Sequence, residues 1–197
     1  MNRDIELIYE LGMLRHLPRQ WNRFGGIPFA NLADHHFRVS WIALIIAKHE
    51  GGDTEKILKI ALAHDIAESR TNDVDYLSRQ YSERNEALAL SDMLEGTALK
   101  EEISKLIEEY EKRESLESKI VKDADNLDVD FELNEQASNG VDIGQVWSDN
   151  RKNIVREKLY TNTAKKMFDQ LREVHPHDWH HKSPRNRTNG GDWKKKR

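Results

Sequence analysis

The segment Ala61-Leu62-Ala63-His64-Asp65-Ile66-Ala67-Glu68 puts an imidazole and two carboxylates close together in the chain. At about 3.6 residues per turn, Ile57, Ala61, His64 and Glu68 share one inward stripe of a helix. A histidine and a glutamate where the pattern asks for apolar residues must be paired or coordinated once buried. Too few cations share that face to pair them all, and a metal ion is the natural partner. Upstream, His35 aligns with Val39, Ile42 and Ile46, so it too points inward. Its neighbour His36 falls on another face. Either histidine alone reads more simply as a satisfied core residue; the two together, beside Asp65, shift the balance toward ligands. Farther along, Val121, Asp125, Asp128 and Glu132 form a stripe bordering the apolar row Leu116, Ile120, Ala124, Leu127 and Phe131. Asp125 on that border is either an ordinary exposed acid or a ligand, and spacing alone slightly favours the ordinary acid.

These groups need a frame, and the composition specifies a helical one. The 197 residues contain only 10 Gly and 4 Pro, with 37% hydrophobic and 34% charged residues. That is enough chain for one core and too little turn chemistry for a many-stranded sheet. With no cysteine, thiolate zinc sites, disulfides and thiol nucleophiles are excluded. No apolar run is long enough to span a membrane, and the start Met1-Asn2-Arg3-Asp4-Ile5-Glu6 lacks the order of a secretory signal, so a cytoplasmic protein is expected.

Helical periodicity predicts segments at Asp4–Leu17, ended by Pro18, and from an N-cap at Asp34 to Lys48 before Gly51-Gly52. A third runs from an Asp53 or Thr54 cap to near Glu68. Further segments are Glu83–Leu94, Leu99–Glu111, Leu116–Ala137 and Asp149–Val174. The expectation is an all-α bundle of about seven helices over residues 1–175. The remainder, 176–197, reads as a basic disordered tail: from Lys182 on it carries a charge of +6, against −10 for the rest of the chain. An acidic body argues against general nucleic-acid binding.

His35, then His64-Asp65, then Asp125 within Val121-Lys122-Asp123-Ala124-Asp125-Asn126-Leu127 resembles the H…HD…D signature of the HD-domain phosphohydrolases. The closer resemblance is to their 5′-deoxynucleotidase branch. It rests on Ala33-Asp34-His35-His36-Phe37-Arg38-Val39, on His64 to Asp73 and on Val121 to Leu127, and covers roughly residues 5–170. It implies that His35, His64, Asp65 and Asp125 hold a divalent transition metal such as Mn, Co, Fe, Ni or Zn. It makes Glu68 the acid/base carboxylate, Asp73 a second catalytic acid, Arg19 the phosphate contact and nearby Trp21 a group to stack on a base. In this chain Gln20 stands between Arg19 and Trp21, where the family often has the two adjacent.

The expected activity is hydrolysis of a 5′-(deoxy)nucleoside monophosphate, a small phosphate ester, with a homodimer favoured by the resemblance. Two other readings stand beside it. One is a different HD-type nucleotide phosphohydrolase or phosphodiesterase; the other is a non-catalytic, metal-stabilised binding module acting through its basic tail.

Overall fold

The computed structural model describes residues 1–25 and 30–183. Residues 26–29, between the first two predicted helices, and the tail from Pro184 onward lie outside them. Among the described residues seven uninterrupted α-helices reach nine residues or more: α1 (Asn2–Leu11), α2 (Leu32–Glu50), α3 (Thr54–Ala63), α4 (Glu86–Leu94), α5 (Lys100–Lys112), α6 (Leu116–Ser138) and α7 (Asn162–Leu171). No strand accompanies them there; the one extended pairing is an isolated bridge between Pro18 and Asn31. The all-α bundle expected from composition is what forms. No described helix is long and apolar enough to cross a membrane.

α2 and α6 are the long central pair, and α3, α5 and α7 pack around α6. One apolar cluster joins them through Val39, Ile42, Ile46, Ile57, Ile60, Ile120, Ala124, Leu127 and Phe168. A second, built from Leu7, Leu14, Leu32, Ala63, Ile66, Met93 and Leu94, ties α1 and α4 to the ends of α2 and α3. Along the chain His35 lies between Leu32 of one cluster and Val39 of the other, and His64 between Ala61 and Ile66. The packing of both clusters therefore fixes where these side chains sit.

The helix ends differ from the sequence expectation in ways that matter for the site. α2 starts at Leu32, because Asn31 is the cap: its side chain accepts from the Asp34 N–H at 3.0 Å while Asp34 reciprocates to the Asn31 N–H at 3.3 Å. Asp34, expected as the cap, is the reciprocating acid. α3, capped by Asp53, stops at Ala63 rather than near Glu68. The chain then turns tightly, the Ile66 N–H donating to the Ala63 carbonyl at 3.3 Å, before a short helix at Glu68–Thr71.

The last helix expected, Asp149–Val174, is two. A helical stretch from Ser148 to Lys158 ends, and α7 begins after Thr161. Buried Asp123 holds the break open by accepting from the N–H groups of Tyr160 and Thr161, both at 2.8 Å, and from the Thr161 hydroxyl at 2.7 Å. A four-residue helix at Asp178–His181 falls inside the segment assigned to the tail, so helical structure does not stop at 175.

Candidate active site

His64, which caps the end of α3, and Asp65, in the tight turn that follows, face the same point. His35 reaches that point from the first turn of α2, and Asp125 from the middle of α6. One ligand atom from each of the four lies within 4.8 Å of all the others. His35 Nε2 stands 3.3 Å from His64 Nε2, 3.4 Å from Asp125 Oδ1 and 3.6 Å from Asp65 Oδ2; His64 Nε2 is 3.2 Å from Asp65 Oδ2.

The other ring nitrogens fix what this point needs. His64 Nδ1 lies 2.9 Å from the Ala61 carbonyl, and His35 Nδ1 lies 2.6 Å from Asp128 Oδ2. A carbonyl and a carboxylate only accept, so both Nδ1 atoms carry hydrogen, and in the neutral imidazoles it is Nε2 that offers a lone pair to this point. Two ring nitrogens and two carboxylates converging at one point call for a positive charge there, a proton on His35 or a metal ion. Burial and Arg19 pull the His35 imidazole down, yet the carboxylates of Asp125, Asp128 and Asp65 hold it well above its ordinary value. Asp65 and Asp125 are held well below the usual carboxylate range against burial, Asp65 by His64 and His35, Asp125 by Lys122 and His35. The donor set fits a divalent transition metal, and the Asp128–His35 bond is the kind of contact that orients a metal-ligating imidazole.

His36 is not a surface residue. It is buried, its Nδ1 bonds to the Leu62 carbonyl at 3.1 Å, and burial and His64 push it down to about 3, so it stays neutral beside the pair.

Around this point opens a cleft of about 400 Å³. Glu68 lies on its wall at 5% exposure, with Oε1 3.2 Å from Arg84 and Oε2 without a partner. Burial and the nearby Asp65 and Asp73 carboxylates raise its carboxyl to about 9, against the opposing pull of Arg19 and Arg84. Such a group holds a proton at neutral pH beside the anionic centre. Arg19 is buried, with Nη1 2.7 Å from Asp73 Oδ2 and Nε unpartnered. Asp73 also accepts from the Gln20 N–H at 3.1 Å, so its contacts are those of a clamp on the Arg19 segment.

Trp21 lines the cleft and meets Trp147 at 4.9 Å between ring centroids; Phe24 and Tyr76 stack at 5.3 Å against the same Trp147. The sequence assigns no role to Trp147, Tyr76, Lys122 or Asp128, although Asp128 shares the stripe of Asp125. Only Asp128 had a signal to follow, one turn beyond Asp125 on the same helix. A larger groove, about 620 Å³, is lined by Ile45, Phe131, Met167, Leu171 and Trp179 and by none of these groups.

Comparison with known proteins places these residues in a wider set. A family model described as HD domain matches residues 11–173. A 5′-deoxynucleotidase HDDC2 from Danio rerio is 32% identical over 141 residues, 68% of this chain and 70% of that one. A solved structure of a conserved hypothetical protein from Pyrococcus furiosus superposes with a TM-score of 0.72 at 31% identity, covering 86% of this chain and 99% of that one. The cyanophage S-2L HD phosphohydrolase DatZ, solved with dA and one catalytic Zn²⁺, shares the fold at a TM-score of 0.52 and 18% identity, over 84% of this chain and 93% of that one.

Proposed function

The chain belongs to the HD-domain family, and from that premise we propose that it is a cytoplasmic metal-dependent phosphohydrolase that cleaves 5′-(deoxy)nucleoside monophosphates to nucleoside and phosphate. The observation that carries this reading is the convergence of two imidazole nitrogens and two carboxylates beside a proton-holding Glu68 and a buried Arg19. The name carried by the Danio rerio relative and the dA bound to DatZ support a nucleotide as the phosphate ester.

His35, His64, Asp65 and Asp125 would hold the metal, which supplies Lewis acidity to the phosphoryl group and acidifies water. Arg19, held in place by Asp73, binds the phosphate oxygens and balances charge as the bond breaks. Water attacks phosphorus and the bond to the 5′-oxygen breaks. Glu68 gives its proton to the departing oxygen and regains one from the attacking water, the other staying on phosphate. Trp21, supported by Trp147, stacks on the base. A second copy of the chain is a further expectation, and the exposed row Phe37, Trp41 and Ile45 on α2 is an apolar surface it would cover; sedimentation analysis checks it.

The test is release of inorganic phosphate from a panel of deoxynucleoside monophosphates with Mn²⁺ or Co²⁺, wild type against Asp65→Ala, with metal content measured alongside. Equal amounts of intact nucleoside and phosphate are expected from wild type, and neither from the variant. Metal-loaded wild type that releases no phosphate from any nucleotide overturns the reading.

A further inference from the structure

The cations that line the cleft are not equivalent. Arg84 lies 3.2 Å from Glu68 and 2.8 Å from Glu86, Arg151 is held by Asp130, and Lys122 lies 2.7 Å from Asp125 Oδ2. Two cleft-lining guanidinium groups keep a buried nitrogen with no acceptor: Arg19 at Nε and Arg113 at Nη1. Arg19 already has a phosphate role in the proposed function. Arg113 has none.

Three further observations bear on Arg113. It ends α5 in the left-handed conformation, φ 54° and ψ 30°, where glycine or asparagine is the usual choice. An arginine at that position accepts backbone strain, which marks a side chain the site has use for. Its guanidinium carbon lies 3.3 Å from the centroid of the Tyr110 ring, so the planar group is stacked and fixed. Tyr110 is itself buried and packs edge-on to His64, at 5.8 Å between centroids, which places the stack next to the metal donors. Glu111 forms an ion pair with Nη2 at 3.6 Å, beyond hydrogen-bond reach, and leaves Nη1 without an acceptor. Arg113 lines the same cleft as Arg19 and Lys122. A stacked guanidinium that lines the cleft with a donor to spare makes a place for an anion.

We propose that Arg113 is a second arginine contact for the substrate's phosphate, reaching it from the α5–α6 turn while Arg19 reaches it from the segment after α1. This rests on the phosphohydrolase reading for its substrate, and on the geometry of Arg113 alone for its anion. A guanidinium stacked on a buried ring loses little freedom on binding, so its contribution falls mainly on affinity for the phosphate group.

The probes are inorganic phosphate, titrated calorimetrically into the metal-loaded full-length protein, and deoxynucleoside monophosphate hydrolysis. Arg113→Met is expected to weaken phosphate binding and raise KM by about tenfold, the size of one charge-assisted contact. Metal content and thermal midpoint should stay at wild-type values. Arg113→Lys should recover part of the phosphate affinity. Arg113→Gly relieves the left-handed strain and carries the same test if the methionine variant folds poorly. A purely structural stack on Tyr110 predicts phosphate affinity within twofold of wild type in the folded variants, and that result overturns the proposal. Wild type that binds phosphate through Arg113 without turnover would sink the proposed activity and leave this contact standing.

Discussion

Asp128→Asn leaves all four proposed donors in place and should nevertheless weaken metal binding by about ten- to a hundredfold. Asp128 is fully buried, with Oδ2 accepting from His35 Nδ1 at 2.6 Å and Oδ1 2.8 Å from Arg38 Nε as an ion pair. An asparagine of the same shape offers one acceptor and one amide NH₂. With its oxygen toward His35, the NH₂ meets the arginine donors. Turned over, it presents NH₂ to Nδ1, and His35 must move its hydrogen to Nε2, removing a lone pair from the point where the ligand atoms converge. A wrong tautomer in about ninety to ninety-nine parts of a hundred corresponds to about 1.4–2.7 kcal/mol of lost affinity. The assay is calorimetric titration of Mn²⁺ into metal-free protein at neutral pH, with circular dichroism to confirm that the variant is folded. Asp65→Ala, which removes a donor outright, is the reference for complete loss. Metal affinity within twofold of wild type in folded Asp128→Asn would refute the argument that this carboxylate sets the imidazole's orientation.

Other substitutions separate the remaining groups. Asp73→Asn removes the anion that holds Arg19 and should raise KM for a nucleotide about tenfold with metal content unchanged, read by steady-state kinetics and metal analysis. Trp147→Ala should weaken binding of the nucleoside product more than that of inorganic phosphate, measured by inhibition with each. Glu132 offers a pH experiment: it is 2% exposed, neither carboxylate oxygen has a partner, and burial and Asp128 raise it to about 7 from an ordinary 4.5. Between those values the unfolded chain gives up the proton and the native one keeps it. Native stability therefore falls as pH rises through the window, by about 3 kcal/mol in all, and is level above it. Glu132→Gln should lack that slope, so its advantage in urea denaturation of metal-free protein grows from pH 4.5 to 7. A pH-independent difference between the two proteins would contradict it.

The helices and the inward set of His35 and His64 were legible because both rest on periodicity, which burial enforces along each element. Asp125 was not decidable that way. α6 was read as having one buried stripe, yet it is packed by α2, α3, α5 and α7, so Asp123, Asp128, Asp130 and Glu132 are buried as well. The partners that make this tolerable, Thr161, Arg38 and Arg151 among them, are distant in sequence and leave no local trace. The break at Leu159–Thr161 was hidden for the same reason, since its cause is the carboxylate of Asp123. Trp147 and Arg113 sit in connecting segments where no period applies, and Glu111-Lys112-Arg113-Glu114 reads as a solvated charge run until the backbone turns it inward.

The Arg19–Asp73 clamp has companions in register with it. Arg23 lies 3.0 Å from Asp75, and Phe24 stacks on Tyr76, so the stretch from 19 to 24 is tied at three points to the stretch from 73 to 76. Segments fastened this way open together or not at all. Their slow-exchanging amides should therefore trade hydrogen for deuterium at one shared rate, and loosening any single tie should speed exchange across both. The rate at which product leaves this side of the cleft would then belong to the laced pair as a unit, and not to any one side chain in it.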